Sequence, residues 1–241
     1  MRAETRHQLK EDRFNQVTLE LWARARVWAN SNRSTLMIGL VVLVIIVCGA
    51  FGGWYYLDQQ DQAASMTLNQ AVRTMNTQIR PAGMPAQPDY PSFGSIQERA
   101  TASNKQLQEV ISKYPHTRSA EFAHYLVGTT AMTLGNNSQA ESELKSVAGS
   151  SNDELAALGK FALASLYRSE NGGKDAIALY QELINKPTTS VGKATAQLEL
   201  AATYQETNQP LDAKKTYQQV EKDNPSKPAG QMAMAKLQEL K

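Results

Sequence analysis

Residues 200–225 read LAATYQETNQPLDAKKTYQQVEKDNP, and the order of small, turn-forming and large side chains in this stretch decides the fold. Counting from Ala201, an aromatic stands at three (Tyr204), a turn former at seven (Asn208), a second small residue at twelve (Ala213), a ring at sixteen (Tyr217) and an aliphatic at nineteen (Val220). The same offsets recur from Ala164, through Tyr167, Asn171, Ala176, Tyr180 and Leu183, and from Gly128, through Ala131, Gly135, Ala140, Leu144 and Val147. The period is 36 and then 37 residues, in the range where self-similarity marks a stacked array.

Each period predicts two helices of roughly a dozen residues. The turn between them falls at Gly135, Asn171 or Asn208, residue types that tolerate left-handed backbone angles. Small residues at Gly128, Ala164 and Ala201 face Ala140, Ala176 and Ala213 and let the helices touch; Leu144, Tyr180 and Tyr217 fill the space against the next pair. Ala176→Leu should therefore damage folding. Ser138 with Glu141 has the spacing of a capping box, and Pro210 suits a first helical turn.

This pattern resembles the tetratricopeptide repeat, a helix-turn-helix unit, over about residues 118–226. His124, Lys160 and Gln197 stand where that family has a large aromatic near the start of the first helix. The repeat's terminal proline is present at Pro225, is one residue early at Pro187 and is missing near Asn152. Ser103, Leu107, Val110 and Pro115 reproduce the second-helix signature, so residues 96–114 read as half a repeat whose partner helix lies in residues 60–80. Between them Pro81, Pro85, Pro88 and Pro91 exclude a helix. Residues 228–241, with Met232, Met234, Ala235 and Leu237, suit a terminal helix covering the last repeat.

Working back toward the amino terminus, Ser34–Leu57 are 24 consecutive residues without a charge. At about 1.5 Å per residue they make a helix long enough to cross a hydrocarbon core of about 30 Å. The run is too long, and follows too many polar residues, for a cleaved signal peptide. Val47 is too bulky for a lipoprotein signal ending at Cys48. Arg24, Arg26 and Arg33 precede the span, whereas Asp58 and Asp61 follow it with no basic residue before Arg73. Positive residues stay cytoplasmic, so the amino terminus is expected inside and the remainder outside, which in a bacterium is the periplasm. Trp54, Tyr55 and Tyr56 suit the headgroup layer. Phe14, Val17, Leu21, Ala25 and Trp28 share one helical face, expected to lie on the inner leaflet.

The expected architecture is all-α, one N-terminal transmembrane helix followed by an α-solenoid of divergent tetratricopeptide repeats. Its divisions are a cytoplasmic amphipathic tail (1–33), the transmembrane helix (34–57), a membrane-proximal helix and Pro-rich loop (58–95) and the repeat domain (96–241). The tail carries 7 basic and 4 acidic residues, and the 184 residues after the span carry 18 and 19. Without a basic field the chain is not expected to bind nucleic acid. With Cys48 as its only cysteine, the exported part has neither a disulfide nor a thiolate zinc site.

No arrangement of residues points to catalysis, a metal or a cofactor. His116 and His124 have no nearby Cys, the acidic pairs Glu141/Glu143 and Asp153/Glu154 lie near helix starts, where the dipole favours them, and Gly172-Gly173 lacks the Lys and Ser or Thr of a phosphate loop. Stacked helix pairs instead leave a concave surface lined by their first helices. Mapped from the tetratricopeptide resemblance, that protein-binding groove consists of Phe122, Tyr125, Thr129 and Met132, then Leu158, Phe161, Ser165 and Arg168, then Thr195, Leu198, Ala202 and Gln205. Substituting Tyr125 or Phe161 is expected to weaken partner capture and leave folding intact.

The whole plan resembles the bacterial inner-membrane tetratricopeptide proteins that are ancillary to the Sec translocon, whose repeat domain is related to that of the periplasmic cell-division coordinator; the start Thr5-Arg6-His7-Gln8-Leu9-Lys10-Glu11-Asp12-Arg13-Phe14 is similar to that of some members. The resemblance implies a protein that docks beside the Sec channel and passes exported chains to periplasmic chaperones. The alternative is a periplasmic scaffold for envelope assembly or cell division.

Overall fold

The computed structural model describes Trp28 and residues 31–85 and 91–240. The expected amphipathic tail face, apart from Trp28, and Pro88 lie outside the described residues, as does the segment Thr5–Phe14. The chain divides into two units, residues 1–56 and 57–241.

Helix α1 (Arg33–Met75) begins with the apolar run. Its large side chains from Met37 to Leu57 are exposed, and none of its apolar window is buried by other described residues. A helix apolar on every side needs a nonpolar surrounding, and this one is long enough to cross a membrane.

The second unit begins with the far end of α1 and continues through two short strands, β1 (Gln78–Ile79) and β2 (Ser92–Phe93), and eight helices: α2 (Ile96–Lys113), α3 (Arg118–Thr133), α4 (Asn137–Ala148), α5 (Asp153–Ser169), α6 (Gly173–Asn185), α7 (Lys193–Glu206), α8 (Pro210–Asp223) and α9 (Pro228–Glu239). Three pairs, α3/α4, α5/α6 and α7/α8, carry the sequence period. Their turns share one geometry. Gly135, Asn171 and Asn208 have φ of +73°, +62° and +60°, and the following residue donates its N–H five residues back: Asn136 to Ala131 O at 2.9 Å, Gly172 to Tyr167 O at 2.7 Å, Gln209 to Tyr204 O at 2.7 Å. This 6→1 bond closes a helix end through a left-handed residue, and it explains why the period places Gly or Asn there.

Four apolar clusters follow one another along the array, each joining a pair to the next helix. Ala64, Ala71, Leu107 and Val110 meet Ala123 and Val127; Ala140 and Leu144 meet Leu163 and Leu166; Ala176, Tyr180 and Leu183 meet Ala196 and Leu200; Ala213, Tyr217 and Val220 meet Ala233. Contacts of this nearest-neighbour kind are what hold a solenoid together. At Gly128 a Cβ would lie 2.7 Å from Leu144 Cγ, so the branched Leu of this pair requires glycine. The two pairs with tyrosine at the matching place accept alanine.

The helix packed on α2 is the residue 57–75 part of α1, so the first pair has its two helices joined by a long connection. β1 and β2 pair in parallel, Gln78 with Ser92 and Ile79 with Phe93. Arg80 Nη1 donates to Ser92 O and Arg99 Nη1 to Thr77 O, both at 2.9 Å.

Two expectations need correction. Helix α4 is capped by Asn136, whose Oδ1 accepts from Gln139 N and whose Nδ2 donates to Gln139 Oε1 at 3.0 Å; Ser138 is already inside the helix. The residue after the left-handed Gly135 has non-helical angles, and its short amide reaches the third helical N–H. At the other end α9 covers the last pair with Ala229, Gly230, Ala233 and Leu237, one stripe at helical spacing. Met232 and Met234 face away and are exposed. Where the terminal proline is missing, Asn152 caps α5 by accepting from Glu154 N and Leu155 N.

Candidate functional site

The twelve residues assigned to the groove lie on the first helices α3, α5 and α7, at spacings of three, four and three that keep each set on one side. None of them is buried. The structure divides them by what they already touch.

On α3, Phe122 and Tyr125 form a tilted ring pair with centroids 5.8 Å apart. Phe122 is 36% exposed, and partial burial raises the Tyr125 phenol pKa. Thr129 Oγ1 donates to Leu126 O, and Tyr125 and Met132 both pack on the cluster around Ala131 and Leu163.

On α5, Leu158 and Phe161 are half-buried against the cluster around Tyr180. The Phe161 ring meets Tyr180 edge to face, centroids 5.7 Å apart. Phe161 is therefore part of the core as well as of the surface, and its replacement will cost stability, contrary to the sequence expectation. Tyr180 is fully buried, its Oη has no hydrogen-bond partner, and burial pushes its pKa up to about 12. Ser165 is half-exposed.

Arg168 is engaged. Its guanidinium donates to Glu199 Oε2 and pairs with Glu206 Oε2 at 3.4 Å, so it ties α5 to α7. The acidic partners are seven residues apart on one side of α7, a spacing visible in the sequence; that they face Arg168 requires the stacking of the two helices. On α7, Leu198 packs on the last cluster, and Gln205 Oε1 accepts from the Tyr217 hydroxyl at 2.8 Å. Thr195 is exposed and Ala202 half-exposed.

The surface left available is thus richest at Phe122 and Tyr125, with Thr129, Ser165, Thr195 and Ala202 adding small uncharged positions. His124, Lys160 and Gln197 lie outside this stripe. His124 Nδ1 bonds Glu143 Oε2, and Lys160 Nζ bonds Glu182 Oε2 at 2.7 Å, each tying the two helices of its own pair. Glu154 holds the α6–α7 connection: its carboxylate accepts from Thr189 N at 3.1 Å and Ser190 N at 2.7 Å. Hydrogen bonds from the side chain and backbone of Ser190, then from Thr189, lower its pKa to about 2. Among the described residues no group of three or more His, Cys, Asp or Glu side chains is placed to hold a metal ion.

A family model described as a tetratricopeptide repeat-like domain matches residues 26–182, and one described as a tetratricopeptide repeat matches residues 195–226. The chain belongs to the tetratricopeptide repeat-like domain family. No curated protein matches it in a sequence comparison. The first match spans the apolar helix and ends within α6, so the tetratricopeptide-like region includes the first pair with its long connection. Tetratricopeptide repeats are protein-interaction modules and are typically scaffolds without catalysis of their own.

Proposed function

We propose that the protein is a single-pass adaptor of the bacterial inner membrane, amino terminus cytoplasmic and repeat array periplasmic, which works beside the Sec channel and passes exported chains to periplasmic chaperones. The observation that carries this reading is the partly exposed, mostly uncharged stripe headed by Phe122 and Tyr125 on the first helices of the repeats. Aromatic side chains offer area at little entropic cost and suit emerging segments that are themselves apolar. The apolar part of α1 and the basic residues before it support the anchor and its orientation. The chain acts by holding other proteins and needs no cofactor.

The test is photocrosslinking in cells from a probe placed at Tyr125 or at Thr129 in the full-length protein. Adducts with channel subunits and with secretory chains in transit are expected. Adducts confined to cell-division or envelope-assembly proteins would replace this reading with that of a periplasmic scaffold.

A further inference from the structure

The position where related repeats carry a large aromatic is occupied in three different ways, and one leaves a cleft open. His124 and Lys160 are bonded to Glu143 and Glu182 on the second helix of their own pairs. The crevice beside Lys160, between Asp153, Glu182 and Lys186, holds only about 60 Å³ and has ion pairs across it. At the third such position Gln197 is 7% exposed, and no hydrogen bond within the described chain engages its carboxamide. It lies on the floor of a cleft of about 410 Å³ between α6 and α8, beside Leu200 and Ile184.

The walls have complementary chemistry. Gln181 and Asn185 stand one turn apart on α6; Lys215 and Gln219 stand one turn apart on α8. Gln181 donates to the Tyr204 hydroxyl and Gln219 to Asp223, which leaves a carboxamide oxygen on each wall to accept. Asn185 and Gln197 each offer a donor and an acceptor. Neighbours four apart on a helix are about 5–6 Å apart, and alternate peptide groups of an extended chain are about 6.6 Å apart, so each wall can meet every second peptide group of one strand.

We infer that this cleft is a second protein-binding site, which takes an extended, uncharged peptide segment and reads its backbone through carboxamides. At 100° per residue, Gln197 and Leu200 lie on roughly the opposite side of α7 from Thr195, Leu198, Ala202 and Gln205, so this site is separate from the groove of the proposed function. The only charge in the lining is Lys215, itself near Asp212. Outside the cleft α8 exposes Lys214, Lys222 and Asp223, charges of the kind depleted from the centre of broad interfaces. A single narrow strand suits the site, and a second copy of this chain does not.

The test uses the full-length protein in detergent and fluorescence anisotropy with three labelled dodecapeptides: one of Ser, Thr, Gln and Val; one with Asp at alternate positions; and one with alternate backbone amides methylated. The first should bind saturably and the others roughly tenfold or more weaker, the effect of about 1.4 kcal/mol of unmade hydrogen bonds. Q197W, which fills the floor, and T216R, which blocks the rim, should each abolish binding, while Y125A leaves it unchanged. The far-ultraviolet melt reports whether each variant folds. Failure of the first peptide to saturate, or binding unaffected by both Q197W and T216R, overturns the inference. Loss of binding with Y125A alone would place the peptide in the concave groove, which overturns the second site and leaves the proposed function standing. Self-association abolished by Q197W would make the occupant another copy and overturn the peptide assignment.

Discussion

The first helix pair and the fourth reach the same packed interface by different chain routes. In the fourth, α7 turns into α8 through Thr207, the left-handed Asn208 and Gln209. In the first, the end of α1 and α2 are separated by residues 76–95, held at their base by β1 and β2. Yet Ser103, Leu107 and Val110 are buried in one just as Ala213, Tyr217 and Val220 are in the other. The second helix and what it packs against therefore define the unit, and the connection only decides how easily it is recognised.

The largest effect expected is from overfilling that shared interface. Ala176→Leu and Ser103→Leu place a branched side chain at matching buried positions and should each lower stability by about 1–3 kcal/mol, read as a shift in the thermal melt. A wild-type melt for Ser103→Leu would show that the first pair is packed differently. The connections should differ more. Asn208→Val forces a β-branched residue into φ of +60°, a loss of about 1–2 kcal/mol, whereas ten Gly and Ser residues inserted at Gly83 should change stability by under about 1 kcal/mol. Equal losses would mean that the long connection is as specified as the tight turn.

Within the groove, Tyr125→Ala and Phe161→Ala should each weaken partner crosslinking and cost about 1–2 kcal/mol in stability, less than truncating a fully buried ring, because Tyr125 packs on the cluster around Leu163 and Phe161 lies against Tyr180. The smallest effect is local. Glu154 is held at about 2 against an ordinary 4.5, so the pin on Thr189 and Ser190 is complete above about pH 4.5 and is lost as pH falls toward 2. Amide protection at these two residues, taken relative to the intrinsic exchange rate at each pH, should fall over that range in the wild type and show no such pH step in Glu154→Gln.

The periodic pairs were legible because each of their offsets has a local physical cause: Gly135, Asn171 and Asn208 need left-handed angles, and Ala140, Ala176 and Ala213 need close contact. The first helix of the array was only partly legible, because residues 57–75 continue without a break the helix of an apolar run that ends at Leu57 and dominates any reading of the pattern. Two-residue strands show no alternation, so β1 and β2 left no signal. Ser138 looked like a cap until the preceding left-handed turn placed Asn136 there. Three of the twelve groove residues are already engaged within the array, for one reason. Arg168, Gln205 and Phe161 are on the correct side of their helices, but their partners Glu199, Tyr217 and Tyr180 come from other helices, and no local spacing announces them.

The buried tyrosines also make the chain its own optical instrument. All three tryptophans, Trp22, Trp28 and Trp54, precede residue 57, so tryptophan emission reports on the amino-terminal unit alone, and tyrosine absorption carries most of the signal from the array. Tyr180 holds its proton to about 12 while exposed phenols ionise near 10. Alkaline difference spectra should therefore separate a first wave from exposed rings from a late one carried by the buried Tyr180 and Tyr217, and in Tyr217→Phe the late wave should report the opening of the α5–α6 pair without any label.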